Sequence, residues 1–133
     1  MDENKNDRYM FAYIAGLIDG EGCITYTQQI QHRKGKPRAY KYWNIRIEVA
    51  MTHKETIEYL HQALGCGHVN IRPKMSHQNF DQWRWRCSHR DALEVAKAIV
   101  PFAKTKKDKL EQIIKHYDKQ KTDSSAKTNH QMV

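Results

Sequence analysis

The chain has 133 residues, with 23 Lys and Arg against 15 Asp and Glu, for a formal net charge of +8. That length sets the expectation of one domain, and the lack of an apolar run near the roughly 20 residues of a spanning helix excludes a helical membrane protein. The positive excess points to a polyanionic partner, chiefly nucleic acid, with an acidic membrane surface as the alternative.

Residues 1 to 6 are charged and expected to be loose. Met1 to Arg8 is polar, unlike a secretory signal. The first helix is predicted from Asp7, its N-cap, to Ile18. Ala12, Gly16 and Gly20 recur every fourth residue, so small side chains form a stripe that lets another backbone approach. Tyr9, Tyr13, Ile14, Leu17 and Ile18 offer apolar surface to a core. Gly20 and Gly22 flank Glu21, where the helix is expected to fail. The last carbonyls of a helix lack intrahelical donors. A Glu21 carboxylate beside such carbonyls suits Mg²⁺, a cation that takes oxygen ligands and keeps water.

Residues 22 to 31 read as a strand, with Ile24 and Tyr26 on one side and Thr25, Thr27, Gln29 and Gln31 on the other. A basic turn follows, carrying Arg33, Lys34, Lys36 and Arg38 around Gly35 and Pro37. In the return strand, Trp43, Ile45, Ile47 and Val49 alternate with Asn44, Arg46, Glu48 and Ala50. Thr52 and Glu55 have capping-box spacing and open a second helix whose inner face is Ile57, Leu60 and Leu64. Gly65-Cys66-Gly67 stops it. Val69 and Ile71 then alternate with Asn70 and Arg72 in a third strand. A polar loop containing Lys74 leads to a fourth strand, with Trp83, Trp85 and Cys87 inward and Arg84 and Arg86 outward. Ser88 is the predicted cap of a third helix with Leu93, Ala96, Ile99 and Val100 inward, ended by Pro101. Thr105 and Asp108 cap a fourth helix carrying Leu110, Ile113, Ile114 and Tyr117. The domain is expected over 1–118, with a loose polar tail over 119–133.

The order is α-β-β-α-β-β-α-α, an α+β fold with a curved four-stranded antiparallel sheet. Its polar face gathers Asn44, Arg46, Asn70, Arg72, Arg84 and Arg86, residue types that pair with guanine and adenine edges in a major groove. Acids are rare there, with Glu48 and Asp81 nearly alone. Cys23, Cys66 and Cys87 show no secreted-scaffold spacing, so a reducing, intracellular setting is expected. Cys66 with His68 and Cys87 with His89 raise a zinc site, which the missing Cys-x-x-Cys spacing disfavours.

Ile14-Ala15-Gly16-Leu17-Ile18-Asp19-Gly20-Glu21-Gly22 resembles the motif of the LAGLIDADG homing endonucleases. It departs from the ideal pattern mainly in Ile14 at the first position, Gly20 for alanine and Glu21 for aspartate. The likeness extends over residues 7 to 118 and includes the element order. With one motif, it implies a homodimer whose motif helices pack across a twofold axis through Ala12, Ala15, Gly16, Asp19 and Gly20. The implied activity is site-specific hydrolysis of both strands of a long pseudo-palindromic DNA target, the reaction of intron homing. Glu21 and the Gly20 carbonyl are the implied metal ligands. Mg²⁺ is the expected ion, Mn²⁺ should substitute, and Ca²⁺ should bind without supporting cleavage.

Further site residues follow from the same likeness. His53 stands where the family has a polar residue, usually Gln, on the hydrolytic water, and Ile57 replaces a basic residue often found one turn later. Lys106, after Pro101-Phe102, takes the place of the catalytic lysine, with Lys104 and Lys107 as phosphate contacts. Arg84 is placed for base readout or for the water shell. The family also contains RNA maturases and the fold permits DNA binding without cleavage, so both stand as alternatives. Neither alternative needs Glu21 and Lys106.

Overall fold

The computed structural model describes residues 5–132, with side chains described for 5–119. Expectations for residues 1 to 4 and 133 lie outside the described residues. The elements are α1 (Lys5–Glu21), β1 (Gly22–Gln31), β2 (Tyr40–Met51), α2 (Lys54–Leu64), β3 (His68–Arg72), β4 (Gln82–Ser88), α3 (His89–Ile99) and α4 (Lys107–Met132). This is the α+β order expected, with one four-stranded antiparallel sheet ordered β1-β2-β4-β3. Two hairpins meet at the central pair of β2 and β4.

Helices cover one face of the sheet. Ile45, Ile47 and Val49 of β2 and Trp85 and Cys87 of β4 are buried, together with Ile14 and Ile18 of α1, Ile57 and Leu60 of α2, Ile99 of α3 and Leu110 and Ile113 of α4. Period-two burial on strands and a one-sided apolar face on each helix place this core without exception at those positions. At the β1 end of the sheet, Tyr26 stacks on Trp43 at 4.8 Å and its hydroxyl lies 3.2 Å from His116 Nδ1, fastening α4 to β1 and β2. No described helix is long and apolar enough to cross a membrane.

Several local expectations change. α1 begins at Lys5, so Asp7 lies inside its first turn, and its helix runs through Gly20 to end on Glu21. Ile14 and Ile18 enter the core, but Tyr9 and Tyr13 are exposed because they lie on the opposite side of α1. The α2 cap is His53, not Thr52: its ring accepts from the Thr56 N–H. Gly65 ends α2 in the left-handed region at φ 70°, a conformation that glycine adopts without a Cβ penalty. Ser88 precedes α3 as expected but makes no side-chain cap bond. Ile71 is exposed near the end of the short β3. The backbone of α4 runs helical to Met132, and residues 119–133 hold no Gly or Pro.

Candidate active site and nucleic-acid face

The C-terminal end of α1 is built from both ends of the chain. Asp19 Oδ2 accepts the backbone N–H of Lys104 at 2.7 Å, and Oδ1 accepts that of Lys106 at 3.1 Å. The Asp19 carbonyl accepts Lys106 Nζ at 2.7 Å and the Thr105 hydroxyl at 3.1 Å. The Thr105 hydroxyl thus directs its proton to α1, and α4 begins two residues later at Lys107. Burial pushes the Asp19 carboxyl up, but the bonds from Lys104, Lys106 and Thr105 outweigh it and hold the group below the ordinary aspartate value. The Lys106 ammonium sits at the negative end of the α1 dipole.

Glu21 is the exposed last residue of α1. It therefore does not follow the helix break, as the glycine pair suggested; the break comes one residue later. Gly22 explains the abrupt turn into β1. A Cβ there would meet the Ile18 carbonyl oxygen at 2.6 Å, so only glycine lets the chain fold back so closely. Gly20 sits one residue before Glu21 on an open helix surface, where an added Cβ meets nothing within 4 Å.

This end of the chain suits a hard cation only in part. Among the described residues no group of three or more His, Cys, Asp or Glu converges. One chain offers the single Glu21 carboxylate and helix-terminal carbonyls such as that of Gly20. Those are oxygen donors of the kind Mg²⁺ takes, and the remaining positions fall to water, phosphate or a second chain.

His53 is positioned differently from Lys106. Its Nδ1 lies 2.6 Å from the Thr56 hydroxyl and 3.3 Å from the Thr56 N–H that it caps. Its Nε2 faces Glu55 at 3.5 Å. Both ring nitrogens thus turn to α2. With Tyr13 and Tyr59, whose rings meet edge to face at 5.8 Å, His53 lines an open hollow beside α1.

The stripe on α1 divides. Gly16 and Gly20 are exposed, with open space where a side chain would stand. Ala12 is partly exposed. Ala15 is fully buried in the core, so it has no surface to offer a second chain. Asp19 is committed to the loop before α4.

The outer face of the sheet carries the expected polar series. Thr25, Thr27, Gln29 and Gln31 of β1 lie opposite Arg46, Asn44, Tyr42 and Tyr40 of β2. Arg46 and Glu48 continue across to Ser88 and Arg86 of β4, and Arg84 and Arg86 to Asn70 and His68 of β3. Arg72 pairs with Gln82 at the far end. Arg46 Nε is buried and has no acceptor among the described residues. A buried donor left this way costs free energy until an acceptor arrives. Arg33, Lys34, Lys36 and Arg38 occupy the β1–β2 turn, where Arg33 packs over the Tyr40 ring at 4.3 Å. Lys74 lies in the β3–β4 connection, with its N–H on Asp81 at 2.8 Å. Lys104 and Lys107 flank Lys106 at the start of α4 and are exposed.

Three outward residues were missed in the sequence: Tyr40, Tyr42 and His68. Extending the period-two alternation by a few residues would have found all three. Cys66 and Cys87 do meet, and burial, the nearby Asp91 carboxylate and, for Cys87, the neighbouring Cys66 push the thiols up, away from the thiolate that zinc requires.

Residues 14–104 match the protein family described as LAGLIDADG endonuclease. Among solved structures, the chain is similar to the homing endonuclease I-CvuI in complex with its target in the presence of Ca, with a TM-score of 0.65 and 19% identity over 84% of this chain and 68% of that one. It is also similar to the archaeal intron-encoded homing endonuclease I-Vdi141I complexed with DNA, with a TM-score of 0.60 and 15% identity over 83% and 66% of the two chains. The LAGLIDADG meganuclease I-CpaMI bound to uncleaved DNA gives 0.63 and 13%, over 86% of this chain and 37% of that longer one. At these identities the likeness establishes the fold. No curated protein matches the chain.

Proposed function

The chain belongs to the LAGLIDADG endonuclease family, whose match spans residues 14–104, and from that premise we propose that it is a site-specific DNA endonuclease of the homing type. It acts as a homodimer on a long pseudo-palindromic duplex and hydrolyses one phosphodiester in each strand. The observation that carries this reading is the exposed Glu21 carboxylate at the one end of α1 where the Lys106 ammonium is anchored. A family member that only binds nucleic acid has no need of that pairing.

Mg²⁺ is the proposed ion, held by Glu21 and the Gly20 carbonyl of each chain, with Mn²⁺ as a substitute and Ca²⁺ as a non-productive ligand. When bound, it polarises the phosphate and activates water. Lys106 offers positive charge beside the scissile phosphate. Lys104 and Lys107 neutralise flanking phosphates, and the outer sheet face reads base edges. Exposed Gly16 and Gly20 support helix-to-helix packing that brings two Glu21 groups together. Localisation is proposed as intracellular on the three free cysteines.

The test is a cleavage assay with Mg²⁺ on a library of long, near-palindromic duplexes, beside RNA binding by the same protein. Metal-dependent cuts in both strands are expected. RNA binding without cleavage of any duplex would replace this reading with the maturase alternative.

A further inference from the structure

Glu48 is anomalous on this surface. Among the outward strand positions it is the one acid, on a face otherwise made of Arg, Asn, Gln, Thr, Tyr and other uncharged or basic groups. Asp81, the acid just before β4, accepts the Lys74 N–H in the β3–β4 loop. A carboxylate facing a polyanion weakens binding unless it accepts a hydrogen bond there.

Its setting is fixed. Glu48 lies on β2 between Cys23 of β1 and Arg86 of β4. Its side chain is only 18% exposed, and Oε2 lies 3.8 Å from Arg84 Nε. Cys23 follows Glu21 by two residues, so Glu48 stands at the catalytic end of the face rather than at the hairpin tip. Arg84 engages Glu48 through Nε, which leaves its terminal N–H groups for another acceptor.

Resting on the duplex-cleaving reading above, we propose that Glu48 is a specificity-determining residue that accepts the exocyclic amine of a cytosine in the major groove. Each half-site then carries a C·G pair close to the cut. The donor and acceptor pattern selects the base. Guanine and thymine present acceptors to the major groove, which repel a carboxylate. Adenine offers an amine but sets the N7 acceptor beside it. Cytosine presents its N4 amine with no neighbouring acceptor of its own. Arg84 supplies donors matched to O6 and N7 of the paired guanine, so the ion pair reads both partners of one base pair.

The experiment is a binding selection in Ca²⁺ on duplexes randomised in both half-sites, using wild type and Glu48→Gln. Wild type should favour cytosine at one symmetric position near the cut by about 5- to 150-fold, the span of one good side-chain contact to a base. Glu48→Gln should erase that preference or move it to adenine, which Gln recognises, with the salt dependence unchanged. Arg84→Gln should weaken the same position, and the double variant should lose no more than the larger single loss. Uniformly tighter binding by Glu48→Gln at every sequence would overturn the inference, because Glu48 would then act only as a repulsive charge. Wild type that binds duplex with no cytosine preference at such a position would also overturn it, leaving the duplex reading intact. Wild type that binds no duplex at all would overturn both.

Discussion

Asp19 and Lys106 hold each other twice: the Asp19 carboxylate accepts the Lys106 backbone N–H at 3.1 Å, and the Lys106 ammonium donates to the Asp19 carbonyl at 2.7 Å. The side chain of each meets the backbone of the other. Lys106 is therefore positioned by the motif acid that precedes Glu21, and Asp19→Asn should displace it. One acceptor oxygen survives in the amide, so the fold should lose about 1.5 kcal/mol, the low end for a charged acceptor because solvent reaches these bonds. Because the folded value of Asp19 lies below the unfolded one, its stabilisation is present above roughly pH 3.9 and is lost as pH falls through the folded value. Urea unfolding followed by circular dichroism at a series of pH values should show stability falling less steeply below about pH 4 in Asp19→Asn, so that the gap to wild type narrows in acid. Superimposable stability curves would remove Asp19 from the anchor.

Glu21→Gln keeps size and hydrogen-bonding capacity but removes the charge that attracts a cation. Cleavage in Mg²⁺ should be abolished while duplex binding in Ca²⁺ survives or tightens, since two negative charges per dimer beside phosphate disappear. Gel shift and strand-cutting assays on one substrate decide it. Near wild-type cutting of both strands would place the metal site elsewhere.

Gly16→Leu separates assembly from folding. An added Cβ at Gly16 meets nothing within 4 Å in the single chain. Leucine is also a better helix former than glycine by about 0.8 kcal/mol. The single chain should therefore stay folded by circular dichroism, while the dimer and double-strand cleavage are lost. A dimeric, active Gly16→Leu protein on gel filtration would move the interface to another face.

Gly22→Ala has the opposite character. The new Cβ would stand 2.6 Å from the Ile18 carbonyl oxygen and 2.9 Å from its Cα, atoms of a backbone that has no easy retreat. We expect a loss of about 1–3 kcal/mol, as for other overpacked sites, read by urea unfolding. An unchanged midpoint would show that β1 leaves α1 more loosely than described.

His53 acts on α2 through both ring nitrogens. Replacement by Ala should cost ~1 kcal/mol of cap, while Asn, a strong cap residue, should restore stability. His53→Asn is expected to cleave at near wild-type rate. A large fall in cleavage with stability intact would instead assign His53 to the hydrolytic water.

The sheet was legible because Ile45, Ile47 and Val49 alternate strictly with Asn44, Arg46 and Glu48, and one buried face specifies register. Gly65 marked the end of α2 for an equally local reason, its left-handed backbone. The errors were of another kind. Thr52 and Thr105 both had capping spacing, yet His53 took one cap and Asp19 took the Thr105 hydroxyl. A side-chain oxygen near a helix start has several donors and acceptors in reach, and tertiary packing chooses among them. Tyr9 and Tyr13 looked like core because hydrophobicity alone does not say which side of α1 faces the sheet. The pairing of Asp19 with the loop before α4 had no sequence signal, since nothing local ties an acid to backbone N–H groups so far along the chain.

That separation orders events in time. Asp19 and Lys106 stand 87 residues apart, and all four strands, ending at Ser88, lie between them. At a translation rate of ~5–20 residues per second, roughly 4–17 s pass between the emergence of the two partners. During that interval the whole sheet is synthesised, so a nascent chain carries all four strands before its motif helix receives Lys106. Chain growth therefore supplies the sheet first and the lysine that docks on the end of α1 afterwards.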